Sequence, residues 1–301
     1  MYFVYSTLLV FLVAHLMSIV AVGFFIHFSW QKFFGGVRIP DCLKHYEVED
    51  ICLTIDDGIN ISAWFMKSPV NHKGKAIVLV HGFNVSRMSL ADEACLFLEN
   101  GFHVLMYDQR SHGNSSFARC SFGRGESADF VEALRFLQNH PDVDNKQIMA
   151  LGASSGAASI MYAIAQHDLS SDLRAAIFEG AFSRTQPIPM HFMKHRMNLP
   201  FFLRHWIYLF VLVPAWYIFS NGQSPWSAPV EIADKLDSVP TFMIWGVNDI
   251  VVPRCAMQEL YNAINSPKDV WWIENGGHDL AIRHFPEQYQ ERVIQFINHY
   301  C

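Results

Sequence analysis

The chain has 301 residues, 51% of them apolar and 17% charged, with a formal net charge of −6. That length suits one large α/β domain or two small ones. A net-negative chain without a Lys/Arg block lacks the basic surface that nucleic acid rewards, so nucleic-acid binding is not the expected function. Cys42, Cys52, Cys95, Cys120, Cys255 and Cys301 form no CxxC pair. They read as mostly free thiols, compatible with a reducing compartment.

Residues 1–31 contain no Asp, Glu, Lys or Arg, and 2–28 are mostly Leu, Val, Ile, Phe and Ala. About 20 apolar residues cross a bilayer as a helix. A secretory signal peptide has a charged leading region and a shorter apolar core, and this stretch has neither. The segment therefore reads as an uncleaved, single-pass transmembrane anchor, with Tyr2, Tyr5 and Trp30 marking the interfaces. Lys32, Arg38 and Lys44 follow it, which by the positive-inside rule places the large domain in the cytoplasm. The sequons at Asn60, Asn84 and Asn114 read as chance occurrences.

From Ile51 onward, short β-rich runs alternate with helical stretches. Residues 52–55 and 61–65 read as strands around the turn signal Asp56-Asp57-Gly58. Residues 76–80 form a continuous apolar run, as in a strand buried on both faces. A helix is expected over 90–98, a strand over 103–107, a helix over 128–137 and a strand over 147–151. Residues 155–165 are rich in small side chains and predict a tightly packed helix. Strands at 173–178, 241–245 and 270–273, with helices near 256–264 and 288–300, complete the pattern. The fold class is α/β, with a mostly parallel central sheet flanked by helices. Residues 183–227 are too long for an ordinary connection. They hold Phe201-Phe202-Leu203 and an apolar run over 206–219 that Pro214 interrupts. This stretch reads as a lid touching the bilayer rather than a second membrane span. Within it His191 and His195 have helical i,i+4 spacing, but without the Glu of a zinc-hydrolase motif they read as surface histidines.

Gly152-Ala153-Ser154-Ser155-Gly156 reads G-x-S-x-G between a predicted strand and a predicted helix, the context in which a sharp turn lifts the serine hydroxyl into a cleft. A serine hydroxyl needs a base to take its proton, and the base needs a carboxylate to fix its tautomer. Asp249, after the 241–245 strand, and His278, after the 270–273 strand, lie in the required chain order. Both fall at strand C-terminal ends, where open α/β sheets bind ligands. Glu179 is a rival for the acid because it directly follows the 173–178 strand. An oxyanion would be held by the backbone N–H of Ser155 and, from the loop after Val80, by that of Phe83. His112 precedes the serine in the wrong order and reads as structural. There is no P-loop and no dinucleotide fingerprint, and no cofactor or metal is expected.

On His81-Gly82-Phe83, Asp108-x-Arg110-x-x-Gly113-x-Ser115, Gly152-x-Ser154-x-Gly156, Gly246-x-x-Asp249 and Gly277-His278, the chain resembles the α/β-hydrolase superfamily over about residues 45–301. Within it the pattern is similar to membrane-anchored α/β-hydrolase-domain-containing proteins and to serine aminopeptidase-like hydrolases. The resemblance implies an α/β-hydrolase fold with a lid insertion at 183–227. It also implies a serine hydrolase with Ser154, Asp249 and His278 as catalytic triad. The expected activity is that of an esterase, lipase or thioesterase on a lipid or acyl substrate at the membrane. A serine aminopeptidase-like peptidase is the alternative, although the lid supplies no acidic cluster for a substrate amino group. A non-catalytic scaffold keeping the fold is the remaining reading.

Overall fold

The computed structural model describes residues 12–13, 15–20, 36–55, 58–70, 73–215, 227–278 and 281–300. Alternation within the central strands sets its architecture. In β3 (Ala76–Val80), the side chains of Ala76, Val78 and Val80 join the core on one face of the sheet, while Ile77 and Leu79 join the core on the other. All five are fully buried. A strand apolar on both faces needs cover on both, so it lies inside a layer sandwiched by helices.

β3 is flanked by β4 (His103–Tyr107) and β5 (Ile148–Ala153), and both pairings are parallel. β6 (Ala175–Glu179), β7 (Thr241–Gly246) and β8 (Lys268–Ile273) extend the parallel array from β5. On the opposite side, β2 (Asn60–Met66) pairs antiparallel with β4, and β1 (Val48–Thr54) pairs antiparallel with β2. The spatial order is β1-β2-β4-β3-β5-β6-β7-β8. The chain runs from β3 outward to β4 and then returns across β3 to β5. That reversal opens a crevice beyond the carboxyl ends of β3 and β5, where open α/β sheets place their ligands.

One face of the sheet is covered by α2 (Ser127–Gln138), α3 (Ser155–His167) and α6 (Arg254–Ala263), the other by α1 (Ala91–Glu99), α7 (Ala281–His284) and α8 (Pro286–Tyr300). The predicted strands and helices are present, with ends shifted by a few residues. β1 starts earlier than the apolar pattern suggests because it is an edge strand with a polar outer side. Its Asp50 accepts a hydrogen bond from the Trp64 indole at 2.9 Å. Of the described cysteines, Cys42, Cys52, Cys95, Cys120 and Cys255 are all free thiols.

The long insertion leaves the sheet after β6 and returns before β7. Its stem is a reciprocal clasp. The Thr185 N–H donates to the Ser227 carbonyl at 2.9 Å, and the Ser227 N–H donates to Thr185 Oγ1 at 3.0 Å. Tyr162 on α3 accepts the Ala228 N–H at 2.8 Å and fixes the stem to the body. Between the two sides of the stem lie two short helices, α4 (Ile188–His195) and α5 (Phe201–Ile207), followed by a π-helical turn, Tyr208–Leu212. Residues 216–226 lie outside the described residues. So does most of the anchor expected over 1–31, of which residues 12–13 and 15–20 are helical. Among the described residues no helix is long and apolar enough to cross a membrane.

Leu79 is enclosed on the α1/α8 face, so Leu79→Ala is expected to lower unfolding free energy by about 2–5 kcal/mol in urea titration. A loss below about 1 kcal/mol would show that the α1/α8 face can collapse around the vacancy.

Candidate active site

Ser154 occupies the single-residue turn between β5 and α3, with φ 51° and ψ −113°. A side chain other than glycine at positive φ is strained, and surrounding contacts must hold it. Here the Ser154 N–H donates to the Glu179 carbonyl at 2.7 Å, tying the turn to the end of β6. A Cβ on Gly156 would lie 2.2 Å from the Val80 carbonyl oxygen, and one on Gly152 would lie 2.6 Å from the Ala157 nitrogen. The turn can form only with both positions bare. Ser155 opens α3, so its N–H is one of the first-turn amides that a helix leaves without an internal partner. The helix N-terminus also favours negative charge at this place.

The C-terminal ends of β7 and β8 deliver Asp249 and His278 to the same point. His278 Nε2 lies 3.1 Å from Ser154 Oγ, and His278 Nδ1 lies 2.7 Å from Asp249 Oδ2. The other carboxylate oxygen, Oδ1, accepts the Val251 and Val252 N–H groups at 2.7 and 2.8 Å. An acid with both oxygens engaged is fixed in rotation and holds the imidazole as the Nδ1–H tautomer. Nε2 is then free to accept the serine proton. The histidine can approach because β6 is followed by Gly180 (φ 55°), where a Cβ would meet the His278 carbonyl oxygen at 2.7 Å and its ring Cε1 at 3.2 Å. The structure thus brings together the three residues expected to act as a relay.

The loop after β3 completes the surroundings of the serine. A Cβ on Gly82 would lie 3.3 Å from the Ser154 Cβ, so the chain passes directly beside Ser154 just before Phe83. His81 is fully buried, and desolvation pushes its pKa down to about 3. It is therefore neutral, donating from Nδ1 to the Gly82 carbonyl at 2.7 Å and accepting the Gln109 N–H at Nε2, 3.0 Å away. Gln109 returns a bond from its side chain to the His81 carbonyl at 2.6 Å and accepts one from Ser159 on α3 at 2.7 Å. Phe83 packs its ring against Phe122 and His112.

His112 has the bracing part that chain order suggested. Burial lowers its pKa; Nδ1 donates to the Arg110 carbonyl at 2.9 Å and Nε2 accepts the Asn84 N–H at 3.1 Å. Asp108 accepts the N–H groups of Arg87 and Asn114, at 2.8 and 2.9 Å, while Arg110 forks onto buried Asp129 through Nε and Nη2. The Asp-x-Arg motif is thus the frame that holds the 81–84 loop, remote from proton transfer.

Two features were not legible in the sequence. His191, on the cap helix α4, donates from Nε2 to the Asp249 backbone carbonyl at 3.0 Å, so the cap is latched to the acid's own loop. Its ring lies 4.3 Å from that of His195. The second is Glu93, which reads as an ordinary acid in the first turn of α1. It is fully buried, and neither carboxylate oxygen has a hydrogen-bond partner among the described residues. Burial, reinforced by the charge of Glu179, raises its pKa well above the usual carboxylate range. Tyr289 is also fully buried, and its pKa is raised by the same burial and by both acids. Glu179 therefore belongs to a buried acidic group under the sheet end, while the partner on His278 Nδ1 is Asp249.

The sheet order, the turn at Ser154 and the placement of Asp249 and His278 define an α/β-hydrolase. The model of the alpha/beta hydrolase family matches residues 77–295, and the chain belongs to that family. Among curated proteins it is similar to the uncharacterized protein YqkD of Bacillus subtilis (strain 168), 25% identical over 74% of this chain and 70% of that protein. A thiohydrolase of Arthrinium phaeospermum, apmlB, is 39% identical over 30% of this chain and 31% of its own. Among solved structures, the Pyrococcus furiosus esterase Pf2001 superposes with a TM-score of 0.70 at 25% identity, covering 88% of this chain and 95% of the esterase.

Because Glu93 is held protonated, the folded chain keeps a proton that the unfolded chain releases as pH rises above the ordinary carboxylate range. Stability therefore falls with rising pH on its account. Glu93→Leu is expected to raise unfolding free energy by about 1–3 kcal/mol near pH 8 and by clearly less near pH 5. Paired thermal melts check this, and a gain that is larger at acid pH contradicts the assignment.

Proposed function

We propose that this chain is a serine hydrolase that cleaves carboxylic ester or thioester bonds of lipid or other acyl substrates through an acyl-enzyme on Ser154. The observation that carries the proposal is the continuous chain from Ser154 Oγ through the His278 imidazole to Asp249, at 3.1 and 2.7 Å. Nothing in a purely structural turn requires a serine at positive φ aimed at a histidine whose far nitrogen is held by a buried carboxylate.

In the first half-reaction Ser154 Oγ attacks the substrate carbonyl carbon while its proton passes to His278 Nε2. Asp249 stabilises the resulting imidazolium and remains ionised. The carbonyl oxygen becomes an oxyanion, received by the Ser155 N–H at the α3 N-terminus and by the Phe83 N–H. Each such donor is worth roughly 3 kcal/mol in the transition state. Collapse breaks the bond to the alkoxide or thiolate, which takes the proton from Nε2 and departs. Water, deprotonated by the same nitrogen, then attacks the acyl group. The acid is released and the Ser154 proton restored. No metal or cofactor enters either half.

The esterase and thiohydrolase among the similar proteins support ester and thioester bonds as the target class. The anchor proposed over residues 1–31 would hold the catalytic domain at the cytoplasmic face of a membrane, next to acyl chains. The aminopeptidase alternative needs a carboxylate to grip a substrate ammonium, and residues 180–230 contain no Asp or Glu.

A fluorophosphonate probe is expected to label Ser154 and to fail on Ser154→Ala. Asp249→Asn should cut kcat on a p-nitrophenyl ester by about 10⁴-fold, because the tautomer is lost. Glu179→Gln should stay within about tenfold, since it is the Glu179 backbone carbonyl that holds the Ser154 turn and Asp249 that holds His278 Nδ1. The opposite ranking of the two acids would move the role to Glu179. Faster cleavage of aminoacyl arylamides than of esters would favour the peptidase.

A further inference from the structure

The cap has an inner and an outer side of opposite character. Inward, α4 is latched to the Asp249 loop through His191, and Met193 is buried. Outward, the cap exposes Phe192, Met197, Phe201, Phe202, Trp206, Leu209 and Phe210, with Phe201 66% and Phe202 74% accessible. Exposed apolar side chains are ordinary when single; a cluster of aromatic and long aliphatic groups on one element marks a contact surface. The patch continues onto a second segment. The His15 ring packs at 5.4 Å on Trp206 and 6.3 Å on Phe210, and beside it Leu12, Val13, Leu16, Met17 and Val20 are exposed.

The charge around this patch identifies what it meets. The whole chain carries −6, yet residues 185–230 contain no Asp or Glu and hold Lys194, Arg196 and Arg204, together with His191, His195 and His205, while Arg184 at the stem is paired with Glu231 and Glu259. Lys194 and Arg196 are exposed between Phe192 and Phe201. Aromatic and aliphatic groups that enter an acyl boundary, with exposed cations set among them on a segment that carries no Asp or Glu, are the chemistry of binding to an anionic lipid surface. A soluble protein partner would call for mixed charge around the rim. Within the apolar stretch 1–31, the described helical residues 12–13 and 15–20 meet the same face through His15.

We propose that the outer face of the cap is a second membrane contact, inserting Phe201, Phe202 and Trp206 into an anionic leaflet and turning the cleft over Ser154 toward the lipid. The inference deepens the hydrolase reading and rests on its membrane-facing part. It names bilayer-resident acyl lipids or acylated chains, rather than free short esters, as the substrates that gain. Because α4 bonds the Asp249 carbonyl, seating the cap on lipid also bears on the catalytic loop itself.

The test uses the full chain reconstituted into phosphatidylcholine vesicles with and without about 30% phosphatidylglycerol. Hydrogen exchange over residues 188–212 and hydrolysis of both a bilayer-resident long-chain ester and a soluble short ester are read. Protection of the cap should appear with the anionic lipid. Phe201→Ser/Phe202→Ser should abolish that protection and lower kcat/KM on the bilayer ester at least about tenfold, with soluble-ester turnover within about twofold. Lys194→Glu/Arg196→Glu should remove the dependence on anionic lipid. Unchanged exchange and unchanged bilayer activity in both variants would overturn the proposal. So would cap protection that appears without lipid as protein concentration rises, because the face would then be an interface between two copies. Loss of soluble-ester turnover and probe labelling in the unaltered chain would instead sink the hydrolase reading. The exchange measurement would still decide the cap.

Discussion

The hydrogen bond from the Ser154 N–H to the Glu179 carbonyl, 2.7 Å long, is the contact on which the site depends. It extends the β5–β6 ladder one step beyond Ala153 and Glu179, into a residue whose φ of 51° would otherwise relax. Once Ser154 is pinned there, its hydroxyl stands above the sheet edge and α3 begins immediately behind it. The distances to His278 and Asp249 then follow from strand order. β6, β7 and β8 lie side by side, so loops from consecutive parallel strands converge on one crevice. The strain is local, and the close packing of Gly156 against the end of β3 keeps it from escaping.

Most of this arrangement was legible because its determinants are local. Continuous apolar runs such as Ala76–Val80 announce strands covered on both faces, and the Gly-x-Ser-x-Gly turn carries its own steric requirement. Asp249 and His278 were legible for another reason. Each follows a buried strand in a chain order that places it beside the serine. What sequence could not show is tertiary. Glu93 has the pattern of a solvated acid at a helix start, and only folding buries it beneath β6 beside Glu179 and Tyr289. His191 looked like half of an i,i+4 surface pair, and only the docking of the cap turns it onto the Asp249 carbonyl. The helices of the cap were missed for a similar reason. Their apolar residues face outward as well as inward, so no clean amphipathic period marks them.

The frame around the site separates jobs that a list of polar residues would blur. The buried pair Arg110–Asp129 and the bonds from Asp108 fix the loop carrying His112, while neutral His81 and Gln109 fix the loop carrying Phe83. Neither histidine has a free nitrogen for proton transfer among these contacts. In the proposed mechanism the proton transfer is thereby left to His278, whose Nε2 faces Ser154. The cap stands on a stem clasped at Thr185 and Ser227 and is tied to the body again through Tyr162 and through His191 on the Asp249 carbonyl.

The most direct measurement is rapid-quench mass spectrometry of the chain mixed with an activated acyl thioester. The account predicts a burst of one acyl group per chain, mapped to the peptide containing Ser154, which accumulates before steady turnover. A steady release of acid with no covalent acyl adduct at any time, or an adduct on a residue other than Ser154, would contradict it.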